Sequence, residues 1–115
     1  MFDFEKFEVY KKAKQLAKDV SALIAGIKGA NSRIIDQLLR ASLSIPLNIA
    51  EGAGRYSKAD KKNFYVIARG SVFECVAIID ILYDSGLISQ PRKTDLYDKL
   101  EELSKMISGL INSQR

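Results

Sequence analysis

Arg40-Ala-Ser-Leu-Ser-Ile-Pro-Leu-Asn-Ile-Ala-Glu-Gly-Ala-Gly-Arg55 is the stretch on which the fold turns. Wound as a helix at ~100° per residue, it and the residues before it divide into two unequal faces. Arg33, Gln37, Arg40, Ser44, Asn48, Glu51 and Arg55 share one narrow polar stripe at spacings of three and four. Ile34, Ile35, Leu38, Leu39, Leu43, Ile45, Leu47 and Ile49 take most of the remaining surface, about 220° of arc at that pitch. A helix on the surface of a monomeric domain needs an apolar stripe only slightly wider than ~100°. The pattern therefore predicts a helix packed on two sides, by its own bundle and by another chain.

The rest of the chain supplies the bundle. Residues of about 4–27 place Val9, Ala13, Leu16, Ala17, Val20, Leu23 and Ile24 on one helical face, with Lys11, Lys14 and Lys18 on a separate stripe. A Gly- and Asn-containing linker follows, in which Asn31 or Ser32 can cap the next helix. The central helix spans about 33–54 and carries Pro46 in its interior, which frees the carbonyl of Ser42. Ser57 with Asp60 resembles a capping box and opens a third helix over about 58–84, apolar nearly all round and so expected to be buried on most sides. Gly86 closes it. Pro91 suits the first turn of a fourth helix, about 92–112, with an apolar seam of Leu96, Leu100, Leu103 and Ile107. Three short linkers between four long helices predict an all-α, antiparallel up-down-up-down four-helix bundle formed by residues 1–115 as one domain.

Charge is unevenly placed. The net charge is +4, but residues 1–62 hold 12 Lys/Arg against 7 Asp/Glu, whereas residues 63–115 hold 6 against 7. An anionic partner for the first half follows from that asymmetry. Two groups of cations are candidates for nucleic-acid contacts. Lys11, Lys14 and Lys18 recur on successive turns and can follow a phosphate backbone, while Arg55, Lys58, Lys61 and Lys62 cluster with Tyr56 at a helix N-terminus. Both also read as ordinary solvated faces. Arg40, Ser44, Asn48, Glu51, Arg55 and Glu74 are read as a structural polar network, with Arg40 or Arg55 the expected partner of Glu74.

Catalytic classes find little support. The chain has no histidine, which excludes Ser-His-Asp, Cys-His and Glu-x-x-His di-iron chemistry. Cys75 is the one cysteine; it cannot form an internal disulfide and does not make a zinc ligand set. No cofactor, metal or catalytic residue is expected. A reducing cytoplasm is the expected location, since the residues after Met1 lack a basic segment leading into an apolar run. No apolar run is long enough for a membrane span.

Gln37-Leu-Leu-Arg40 and Ser44-Ile-Pro-Leu-Asn-Ile-Ala-Glu-Gly52 resemble the signature of the four-helix-bundle proteins encoded by intervening sequences in bacterial 23S rRNA genes. Val9-Tyr10-Lys-Lys-Ala13 and Arg69-Gly-Ser-Val-Phe-Glu74 agree with it, although many members carry Trp where this chain has Tyr10. The resemblance implies a cyclic homo-oligomer, a pentamer, and a basic, non-enzymatic module that binds RNA or another nucleic acid. The alternative is a protein-interaction scaffold that docks a partner on the ring.

Overall fold

The computed structural model describes residues 1–114. A short 3₁₀ turn, Asp3–Lys6, precedes four helices: α1 Glu8–Ala25, α2 Ser32–Ala53, α3 Lys58–Asp84 and α4 Gln90–Asn112. No strand occurs among the described residues. The four helices form a bundle of 45 × 22 × 21 Å, its length set by α3, whose 27 residues span about 40 Å at 1.5 Å per residue.

Each boundary has a local cause. The first helix begins at Glu8, not Phe4, because Phe7 is extended at φ −68°, ψ 128°. Aromatic contacts fold the preceding turn back: the Phe4 ring meets Tyr10 edge-on at 4.8 Å and stacks on Phe2. Gly29, at φ +82°, turns the chain towards α2. The Asn31 side chain then accepts from the Arg33 N–H at 2.8 Å, and Ser57 and Ser89 cap α3 and α4 in the same way. Gly86, at φ +76°, ends α3 in a Schellman motif, with the Leu87 N–H bonded to the Leu82 carbonyl and the Gly86 N–H to that of Tyr83.

α2 runs through Pro46 without interruption. Near the missing backbone bond, side chains bond to the main chain: the Ser42 hydroxyl donates to the Leu39 carbonyl at 2.9 Å, and the Asn48 amide to that of Ser44 at 2.8 Å.

The core follows the sequence periodicity. Leu16 and Val20 of α1, Leu38, Ile45 and Ile49 of α2, Val72, Cys75 and Ile79 of α3, and Leu100, Leu103 and Ile107 of α4 are all buried. Packing runs round the bundle from α1 to α2, α3 and α4, and closes more weakly from α4 to α1; α1 and α3 are diagonal, as are α2 and α4. Two ion pairs cross the α1–α4 seam: Lys12 to Glu102 at 2.6 Å, and Lys99 to Asp19 at 3.0 Å. Burial would raise the Asp19 carboxyl, but hydrogen bonds from Gln15 and Lys99 outweigh it and hold the group below the usual carboxylate range.

Two helices keep apolar surface exposed, and for α3 this corrects the expectation of burial on most sides. Pro46 is buried, yet Leu43 and Leu47 remain 44% and 61% exposed. α3 is less enclosed than its composition suggests, because Val66, Ile67, Phe73 and Ile81 are about half exposed. Within one chain the exposed half of these side chains stays uncovered.

α2 and α3 approach one another closely at Gly52. A Cβ there would lie 2.6 Å from Cε1 of Tyr65, a ring that is itself buried and cannot swing away. Gly52→Ala should therefore destabilise the fold by about 1–3 kcal/mol through overpacking. Gly109→Ala, where a Cβ meets nothing within 4 Å, should be neutral or stabilising by up to ~1 kcal/mol. Thermal denaturation of the two variants checks the contrast, which fails if both shift alike.

Candidate nucleic-acid interface

The seven candidate cations divide between α1 and the α2–α3 turn. Lys11, Lys14 and Lys18 are exposed on the outer face of α1, opposite the buried Val9, Ala13 and Leu16. Lys11 is loosely tied to Glu8 at 3.4 Å, and the Lys14 ammonium lies 5.6 Å from the centroid of the Tyr10 ring. Exposed ion pairs of this kind contribute only about 0–1 kcal/mol, so a phosphate can compete for either lysine.

At the turn, the cations differ in their commitments. Arg55 stacks on the Phe64 ring at 4.5 Å and pairs with Glu51 at 3.3 Å. Lys61 donates to the Ala53 carbonyl at 2.9 Å, a cation placed on the negative end of α2. Lys58 and Lys62 are exposed, as is Tyr56. Asp60 occupies the first turn of α3, and its N–H already bonds Ser57. The positive helix end is thus part-neutralised by the chain's own carboxylate. Any anion attracted here would answer to side-chain cations more than to the helix dipole.

The polar stripe of α2 meets α3 along one seam. Ser71 places its hydroxyl 2.8 Å from that of Ser44, which also accepts from the Asn48 amide at 2.9 Å. Glu51 and Arg55 pair as their helical spacing requires. Glu74 departs from expectation: its carboxylate accepts from the Gln37 amide, and neither Arg40 nor Arg55 is its partner. Arg40 instead pairs with Asp36 at 3.0 Å, and its side chain is 79% exposed. The cause is height along the helix. Gln37 is level with Glu74, whereas Arg40 is a turn further on and points outward. Glu74 is half-buried beside an amide, so its removal costs less than breaking a buried ion pair would. Gln37 was visible in the sequence as a member of the stripe and Ser71 within the Arg69–Glu74 segment, but only the register brings them to this seam.

Other chemistry is sparse. A groove of about 530 Å³ between α3 and α4 is lined mainly by Val72, Phe73, Val76, Tyr97 and Leu100, with the Asp80–Lys93 ion pair at 2.9 Å on its wall. No group of three or more His, Cys, Asp or Glu could hold a metal among the described residues, and no helix is long and apolar enough to cross a membrane. Burial, and then the neighbouring Glu74 charge, push the Cys75 thiol up to about 12.

A family model described as 23S rRNA-intervening sequence protein matches residues 5–109. Among solved structures, the chain is similar to a crystal structure of a protein of unknown function from the S23 ribosomal protein family of Bacteroides thetaiotaomicron VPI-5482. That similarity covers 90% of this chain and 97% of the other, with a TM-score of 0.85 and 23% identity, and so concerns the fold. No match was found among curated proteins.

The state of Cys75 has a direct consequence. The folded protein should resist a maleimide at pH 8 and label fully once unfolded in guanidinium. Rapid labelling of the native protein would contradict the burial of this thiol.

Proposed function

Because the chain belongs to the 23S rRNA-intervening sequence protein family, we propose that it is a non-enzymatic, cytoplasmic, RNA-binding module acting as a cyclic homo-oligomer, a pentamer of antiparallel bundles. The observation that carries the reading is the distribution of charge. Residues 1–62 hold 12 basic against 7 acidic side chains, and the surplus gathers on the outer face of α1 and at the α2–α3 turn. Exposed lysines of this kind neutralise phosphates without reading sequence, and displaced counterions supply most of the affinity. Repetition around a ring multiplies a weak contact into a useful one.

Two sets of cross-helix contacts support the antiparallel arrangement. Lys12 pairs with Glu102 while Asp19 pairs with Lys99, and Arg69 meets Ser108 while Asp80 meets Lys93. In both seams, positions that rise along one helix fall along the other.

Titration of labelled 23S rRNA fragments tests the binding. Affinity should fall steeply with salt, and Lys14→Glu with Lys18→Glu should weaken it at least tenfold at ~50 mM salt, with a log–log salt slope shallower by about 1.5. Light scattering of the same variant should report an unchanged assembly. Unaltered RNA affinity in the variant would remove α1 from the interface; no binding by the wild type at low salt would favour a scaffold for a protein partner.

A further inference from the structure

One aromatic ring stands wholly outside the bundle. Tyr56, in the turn 54–57 between α2 and α3, is 103% exposed, as open as in an extended peptide. The backbone that presents it is nevertheless held on both sides. The Arg55 N–H donates to the Gly52 carbonyl at 3.1 Å, and the Ser57 hydroxyl accepts from the Asp60 N–H at 3.1 Å. The Lys61 ammonium adds a bond to the Ala53 carbonyl at 2.9 Å. An anchored turn carries the ring, and little backbone freedom is left to lose on binding.

A second flat surface lies beside it in sequence. The Arg55 guanidinium stacks on the Phe64 ring at 4.5 Å and is steered by Glu51 at 3.3 Å, while 47% of its side chain stays exposed. One face of its plane is backed by an aromatic ring. The other can receive a base, since guanidinium planes stack on nucleobases much as aromatic rings do. Cations predominate around both surfaces. Lys58 and Lys62 are exposed, a helical turn apart on α3, against the carboxylates of Asp60 and of Glu51, the latter already committed to Arg55. No other large apolar side chain belongs to the turn. A ring placed among charges suits a planar base flanked by phosphates, rather than a lipid surface or an apolar protein face.

We infer that this turn is a stacking site for unpaired nucleotides, with Tyr56 and the Arg55 plane receiving bases and Lys58 and Lys62 the adjoining phosphates. Within a duplex, each base has both faces covered by its neighbours. Only a single strand, a loop or a bulge can therefore offer a face to Tyr56. The α1 lysines, by contrast, meet phosphates in either strand form. The inference rests on the RNA-binding reading above and deepens it: α1 supplies affinity, and the turn selects unpaired strands.

Binding of a single-stranded RNA of about 12 nucleotides, and of the matching RNA duplex, tests it with wild type and Tyr56 variants. The wild type should prefer the single strand. Tyr56→Ala should weaken single-strand binding by about fivefold or more and leave duplex binding unchanged. Its log–log salt slope should equal that of the wild type, because a stacked ring releases no counterion, whereas a lost lysine contact would make the slope shallower. Tyr56→Phe should retain wild-type affinity. The chain contains no tryptophan, so Tyr56→Trp installs a single indole, whose fluorescence the single strand should quench and the duplex should not. All three variants should melt with the wild type, since the ring is no part of the core. Equal affinity of the wild type for the two RNAs would overturn the stacking site and leave the RNA reading intact. So would unchanged single-strand affinity in Tyr56→Ala, a loss shared equally by the duplex, or an indole indifferent to the single strand. Binding of neither RNA by the wild type at ~50 mM salt would overturn that reading, and the stacking site with it.

Discussion

The contact between Gly52 and the Tyr65 ring fixes the spacing on which the bundle depends. With only a hydrogen on Gly52, α2 comes close enough to α3 for the Ser44 and Ser71 hydroxyls to reach one another at 2.8 Å. That approach sets which residues are level across the seam. It also determines which side chains are left outside: α2 presents its core face to the interior and its polar stripe to α3, so Leu43 and Leu47 have nowhere to turn but outward. The interior shows the same economy: no buried side-chain nitrogen or oxygen lacks a hydrogen-bond partner among the described residues.

Four helices and most of the core were legible in the sequence because the signals are local. Periodicity identified Leu16, Val20, Leu38, Ile45, Leu100 and Leu103, and side-chain caps at Asn31 and Ser57 marked two starts. What escaped depends on contacts between elements. The break at Phe7 arises from rings folding back on Tyr10, which no helical wheel contains. A wheel gives azimuth and not height, so it put Arg40 and Gln37 on one face without telling which of them meets Glu74. The all-round apolar character of α3 was likewise ambiguous. Such a helix is either enclosed by its own chain or waiting for another, and composition is the same in both cases.

The candidate site was legible as a list of cations and illegible as a ranking of them. Spacing identified Lys61 and Arg55 as readily as Lys62 or Lys18. Only the fold reveals that Lys61 is occupied with the carbonyl end of α2, and that Arg55 is held between Phe64 and Glu51. Conversely Lys12, next in sequence to Lys11, belongs to the seam with α4; the Glu102 hydrogen bond holds its ammonium above the usual lysine range. Cations alike in sequence thus divide into those engaged within the bundle and those left exposed on its surface.

The exposed apolar surfaces and the exposed lysines lie on different parts of the bundle. α1 is diagonal to α3, so an interface built on α2 and α3 leaves the Lys11, Lys14 and Lys18 face unobstructed. The proposed cyclic oligomer would repeat the lysine stripe once in every subunit. One stripe offers three cations, few enough for salt to screen, whereas a polyanion that lies across neighbouring subunits meets the next stripe at high effective concentration. In the proposed oligomer, the exposed apolar faces and the exposed lysine face would be served by one arrangement of subunits.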